Sequence, residues 1–143
     1  MAIKPLTQWR CDVCRKAIET AGDGYVTWHT DDDLREHGFK IIHQGPCDDN
    51  EAGASAALTD FLGTDGLNYL MAMLSYGPLK KGNAAGPKDM NEFVDLVRRV
   101  QSPYYEEARV RFSDPDVRAH RSDWNEVVPY MEGELKALSE GGE

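Results

Sequence analysis

Cys11, Cys14, His43 and Cys47 are the residues of this chain whose types and spacing suit a chemical task. Cys11-Asp12-Val13-Cys14 is a C-x-x-C pair and His43-Gln44-Gly45-Pro46-Cys47 an H-x-x-x-C pair, with 28 residues between Cys14 and His43. A tetrahedral Zn2+ takes four ligands from thiolate and imidazole, and two close pairs from separate parts of a chain are the usual way to supply them. A C-x-x-C turn sets both sulfurs on one side of a tight knuckle, with backbone N–H groups aimed at their charge. Gly45 and Pro46 let the second pair turn as sharply. The four residues therefore predict one structural zinc ion. Three unrelated buried thiols would not explain the paired spacing. A redox C-x-x-C normally follows a strand and opens a helix, whereas here turn signals follow within ten residues.

The fourth ligand is a choice among histidines. His29 and His37 compete with His43, and the fixed spacing to Cys47 favours His43. His29 follows Trp28 on a predicted strand, where it suits a cross-strand position. His37 lies in a polar connection, and His120 sits far away beside Arg118 and Arg121. Three cysteines and a histidine close the shell, whereas a catalytic zinc keeps a position open for water. The H-x-E and P-C-x-x-C signature of zinc deaminases is absent. The zinc is read as structural.

Other groups carry weaker signals. Asp31-Asp32-Asp33 lacks the alternating ligands, glycine and distal Glu of a calcium loop, so it reads as a solvated turn. Gly82-Asn83-Ala84-Ala85-Gly86-Pro87-Lys88 lacks the Gly-Lys-Ser/Thr ending of a phosphate loop, and no G-x-S-x-G occurs. Arg98, Arg99, Arg109, Arg111, Arg118 and Arg121 lie near Tyr104, Tyr105 and Phe112. Arginine with aromatics can bind phosphate, RNA or an acidic partner. Arg98, Arg99, Arg118 and Arg121 are the candidate anion or partner patch. Against that, Glu106, Glu107, Asp114 and Asp116 interleave with the arginines and can pair with them on exposed helix faces.

The elements that must position these residues fall into four stretches. Residues 8–47 read as short strands and turns, with Tyr25–Trp28 and Phe39–Ile42 as strands and a polar connection between them that has room for one helical turn. Residues 54–76 read as helix: Leu58, Phe61 and Leu62 share a face, Thr64 is a candidate N-cap, and Leu67, Leu70, Met71 and Leu74 form an apolar stripe. Residues 77–88, with three glycines and two prolines, read as an exposed, mobile linker. Residues 89–139 read as several helices. Asp89 with Glu92 forms a capping-box pattern before Phe93, Leu96, Val97 and Val100. Ser102-Pro103 and Asp114-Pro115 each pair an N-cap with proline at the first helical position. Ser122 and Asp123 can cap a last helix carrying Trp124, Val127, Val128, Met131, Leu135 and Leu138, which Pro129 should kink or break. Residues 139–143 should fray.

Trp9-Arg10-Cys11-Asp12-Val13-Cys14, followed by a hairpin and a second ligand pair, resembles a zinc ribbon or a related treble-clef zinc finger over the first third of the chain. The second pair departs from that pattern, being H-x-x-x-C rather than C-x-x-C. The resemblance implies a metal-stapled β unit and little about function, since such modules occur in transcription factors, ribosomal proteins, enzymes and adaptors. The expected architecture is α+β: a zinc-ribbon-like β unit over residues 1–50 and an α-helical region over 51–143. Trp9, Tyr25, Trp28, Phe39 and Ile41 should face helices carrying Leu67, Leu70, Leu74 and Phe93 across one core. A ribbon alone buries too little to hold itself, so the metal is needed.

Composition narrows function without fixing it. With 143 residues, 41% hydrophobic and 29% charged, the chain is long enough for one domain or two small packed units. Three cysteines and no apolar leader argue against a disulfide framework and for a cytoplasmic setting. No apolar run is long enough to cross a bilayer, so no membrane partner is expected. A net charge of −9 opposes broad binding to nucleic acid. Residues 101–143 are the most acidic part, with ten acidic against five basic side chains. The leading expectation is an interaction or adaptor module, without catalysis of its own, whose partner is another protein. The alternatives are a nucleic-acid-binding regulator using the zinc module and the arginines, and an enzyme with an unrecognised site.

Overall fold

The computed structural model describes residues 6–48 and 53–141. The expected fraying at 142–143 and the segment 49–52 that leads into the expected helix lie outside the described residues. Among the described residues the architecture is α+β, with two small antiparallel sheets and five α-helices. Strands β1 (Trp9–Arg10) and β2 (Ala17–Ile18) pair around the C-x-x-C turn, with Trp9 opposite Ile18. Strand β3 (Gly24–Thr30) is central in a second sheet, flanked by β4 (Glu36–His43) and β5 (Ala54–Ala57). The β3–β4 hairpin turns at Asp31, whose carboxylate accepts from the Asp33 and Arg35 amides at 2.9 and 3.0 Å. This Asx turn occupies the connection in place of a helical turn, and its half-buried carboxylate meets the exposed Lys88.

Residues 54–57 form strand, not the start of the helix expected over residues 54–76. Antiparallel pairing of Ala54–Ala57 with Tyr25–Trp28 outweighs the local preference of alanine. A 3-10 turn over Leu58–Phe61 follows and buries both of those side chains. Helix α1 (Gly63–Ala72) then starts without a side-chain cap, so Thr64 is not its N-cap. A Cβ at Gly66 would fall 2.0 Å from the Phe61 carbonyl carbon, so only glycine lets the helix turn back this closely. Of the expected stripe only Leu70 is buried, while Leu67, Met71 and Leu74 face outward. Leu58, Phe61, Leu70 and Met73 are the apolar side chains this segment buries.

Helix α2 (Met90–Gln101) is capped by Asp89, whose side chain accepts from the Asn91 and Glu92 amides. Glu92 does not complete the capping box. Its carboxylate takes the Gly38 and Phe39 amides of β4 instead, at 2.6 and 3.4 Å, and so ties the helix to the sheet. Helix α3 (Tyr105–Arg109) begins after Tyr104, which is left-handed at φ 70°, so Ser102 is not its N-cap. Helix α4 (Pro115–Arg121) begins as expected, with the Asp114 carboxylate on the Asp116 amide and proline in its first turn. No helix starts at Ser122. Pro129 lies in a 3-10 turn (Val128–Tyr130), and helix α5 (Glu132–Ser139) carries Leu135 and Leu138 inward. Proline cannot supply the amide that a continuous helix needs there.

One apolar cluster joins Trp9, Ile18, Val26, Trp28, Ile41 and Ile42 to Leu58, Phe61, Leu70, Phe93, Leu96 and Val100. Trp28 stands edge-on to Phe61, and Phe39 stands edge-on to Phe93. Tyr105, Ala108, Val117, Leu135 and Leu138 form a second, smaller cluster among α3, α4 and α5. Among the described residues no helix is long and apolar enough to cross a membrane.

Candidate metal centre

The metal centre is assembled from three short pieces of chain. The knuckle between β1 and β2 supplies Cys11 and Cys14. It closes through the Arg15 amide on the Cys11 carbonyl and the Cys11 amide on the Lys16 carbonyl, at 3.0 and 2.9 Å. Arg15 takes a left-handed φ of 69°, a conformation that costs a non-glycine residue roughly 1–2 kcal/mol. The last residue of β4 supplies His43. The turn after it supplies Cys47, with Gly45 at φ 91° making the reversal that a side chain would resist.

One donor atom from each of Cys11, Cys14, His43 and Cys47 lies within 4.8 Å of the others, so the group can hold a metal ion. A tetrahedral ion with zinc-like bonds needs sulfur and nitrogen about 3.6 Å apart. The His43 Nδ1 lies 3.3 Å from Cys14 Sγ and 3.7 Å from Cys47 Sγ. The other ring nitrogen is 3.0 Å from the Ala17 carbonyl. That oxygen can only accept, so Nε2 carries the proton and Nδ1 keeps its lone pair for the ion. His29 is not part of the group. It faces its cross-strand partner His37 with the rings stacked 5.6 Å apart. His120 lies exposed against Trp124.

The electrostatics suit a cation. Burial opposes ionisation of Cys11, but hydrogen bonds from the backbone at Cys14, His43 and Val13, with the His43 ring, outweigh it and hold the thiol at about 6. The Val13 and Cys14 amides lie 3.4 and 3.5 Å from that sulfur. Burial and the neighbouring sulfurs of Cys11 and Cys14 push Cys47 up to about 11. His43 is raised, first by Cys11 and then by the Ala17 carbonyl. Several anionic sulfurs in one small space repel each other, and a bound cation reverses that cost.

Sequence reasoning missed the residues that hold the knuckle in place. The Asp12 carboxylate, between the two cysteines, accepts from the Ile41 amide at 2.8 Å and from Arg99 Nη1 at 2.7 Å. Arg99 is 3% exposed. Its Nε and Nη2 reach the two oxygens of Glu106 at 2.7 and 2.8 Å, and Nη2 also meets the Arg10 carbonyl. Glu106 in turn accepts from the Arg10 amide, and the Trp9 indole donates to the Arg99 carbonyl. Burial works against the charge of Arg99, but Glu106 and Asp12 outweigh it and bind its proton more tightly than usual. The signal in the sequence was position: Arg99 follows Leu96 by three residues and so shares the inward face of α2.

The candidate patch of Arg98, Arg99, Arg118 and Arg121 is therefore not one exposed surface. Arg99 is spent on the knuckle. Arg98 is half-buried over the Tyr130 ring at 3.9 Å, Arg118 is exposed, and Arg121 is buried beside Trp124. Arg109 pairs with Asp95, and Arg111 approaches Asp114 and donates to the Leu138 carbonyl. Comparison with models of known protein families, with curated proteins and with solved structures finds no match.

Proposed function

We propose that Cys11, Cys14, His43 and Cys47 hold one structural Zn2+ in a zinc-ribbon-like module, and that the protein is an interaction module whose partner is another protein. Four donors from thiolate and imidazole satisfy zinc completely and leave no position for water. The donor set is soft enough to favour zinc over calcium or magnesium. The metal fixes the knuckle against β4 and α2, which gives the small β unit the stability that its apolar mass alone does not provide.

The observation that carries the interaction reading is the outward face of α1 and the segment after it. Leu67, Met71, Leu74 and Tyr76 are each about half exposed, and Leu79 is 96% exposed. Leu67, Met71 and Leu74 recur at four- and three-residue spacing on one exposed face, the kind of apolar surface that serves as a contact site. Lys80 and Lys81 follow it directly, so an amphipathic segment with acidic flanks suits it. A net charge of −9 disfavours a second copy of the chain. Nucleic acid is disfavoured by the same charge and by the internal partners of Arg99, Arg109 and Arg111.

The test has two arms. Native mass spectrometry of protein purified without chelator should show one zinc per chain. A photo-crosslinker at position 71 should capture one discrete protein from native extract, lost in a Leu67→Asp/Leu74→Asp double variant that keeps its zinc. Zinc-free folded protein would defeat the metal assignment. Diffuse capture unchanged by the double variant would defeat the interaction reading.

A further inference from the structure

We propose that a cavity between α4, the Val128–Tyr130 turn and α5 is a binding site for a carboxylate carried on an apolar or aromatic group. The cavity has a volume of about 300 Å3 and is lined by Phe112, Val117, Pro129, Tyr130 and Leu138, with Arg118 and Arg121. That volume lies at the lower end of the ~300–1,000 Å3 typical of small-ligand sites. No acidic side chain lines it among the described residues.

Arg121 carries the argument. It is 8% exposed, and its Nε and Nη2 are buried with no acceptor among the described residues. A guanidinium keeps its charge, and leaving buried donors unpaired is costly. Nε–H and Nη2–H lie along one edge of the guanidinium and point in parallel, which matches the two oxygens of a carboxylate. The same molecule shows that edge filled: Arg99 Nε and Nη2 bind Glu106 Oε1 and Oε2 at 2.7 and 2.8 Å. Arg121 offers the equivalent fork beside a mostly apolar cavity. Arg118 adds a second, exposed positive charge at the lining, and Ser122 adds a hydroxyl. Phe112, Tyr130 and Leu138 give an apolar body somewhere to sit. A phosphate would strip its larger charge of water against those same side chains, so a carboxylate monoanion is the better match. The edge is closed to solvent, so binding requires a lining side chain to move. This site is separate from the metal centre and does not depend on the function proposed above.

The carboxylate can belong to a free acid or to the C-terminus of a peptide. Titrating the zinc-loaded full chain with 3-phenylpropionate, with a tetrapeptide ending in phenylalanine, with the amides of both, and with inorganic phosphate separates these cases. The reporter is the indole N–H resonance of Trp124, which lies beside Arg121. At least one acid should shift it saturably, with the matching amide at least about tenfold weaker, a difference of about 1.4 kcal/mol. A tighter peptide assigns the source as a chain terminus, and an equal or tighter 3-phenylpropionate assigns a free acid. Arg121→Lys keeps the charge but loses the fork, and should weaken the acid at least about tenfold while leaving the amide unchanged. Arg118→Ala, on the surface, should weaken it less and keeps the test alive if the Arg121 variant does not fold. No saturable shift with either acid, amides that bind as well as acids, or phosphate that binds as tightly would each overturn the proposal.

Discussion

The β unit around the metal centre and the helical cluster formed by α3, α4 and α5 face the same shortage of apolar mass and meet it differently. The β unit borrows: its strands lie against Phe61, Leu70, Phe93 and Val100 from the segments that follow, and a four-donor metal site and the Asp12–Arg99–Glu106 network fix its knuckle. The helical cluster has five buried side chains of its own, opens α4 with local devices, the Asp114 cap and the proline that follows it, and ties Arg111 to the Leu138 carbonyl of α5. The first region depends on contacts between residues up to 96 positions apart, such as the Arg10 amide on Glu106. The second joins residues at most 33 positions apart, from Tyr105 to Leu138. Long-range constraints should therefore fail all at once, and local ones by degrees.

The largest effect should come from Cys47→Ser. Losing one ligand removes binding free energy that is also folding free energy, on the order of 10 kcal/mol for a structural zinc. Native mass spectrometry should show the zinc lost, and amide resonances of residues 9–18 should collapse. If signals from Val117, Leu135 and Leu138 collapse in the same step, the two regions are one cooperative unit and the contrast fails.

Arg99→Ala should follow, at about 3–5 kcal/mol in urea unfolding, because it leaves the Glu106 carboxylate buried without its partner. Arg99→Ala with Glu106→Gln should recover part of that loss. Equal costs for the single and double variants would mean that Arg99 acts by packing, not by charge.

Asp114→Ala tests the local devices. Removing the cap of α4 should cost about 0.5–2 kcal/mol with zinc content unchanged. A loss of zinc in this variant would show that the helical cluster supports the metal centre more closely than its contacts suggest.

The smallest effect is a pH dependence. Burial raises the Glu107 carboxyl above its usual range, outweighing an opposing contact with its own backbone amide, and the charge of Glu106 adds to the rise. A raised folded-state value means that the neutral form favours folding. Its contribution is full below the ordinary value near 4.5 and is lost as pH rises through the raised one. Glu107→Gln should thus raise the melting temperature at pH 7 by on the order of 1–2 °C and leave it nearly unchanged at pH 4.5. A shift of equal size at both values would assign the gain to packing.

The sequence alone determined what short-range chemistry controls. The C-x-x-C and H-x-x-x-C pairs could be read because a knuckle needs only its own few residues to aim two donors. The Asp89 and Asp114 caps could be read because a cap bonds within three positions of itself. The tertiary structure decided everything that required a partner far along the chain. It turned Ala54–Ala57 into strand by offering the edge of β3. It took Glu92 away from its capping box by offering two free amides of β4. It set His29 against His37 and left His43 beside the sulfurs. It drew Arg99 out of the expected patch and onto Asp12 and Glu106. It also left Leu67, Met71 and Leu74 outside a stripe whose spacing fits a core, because a 3.6-residue period fixes which residues share a face and says nothing about what that face meets.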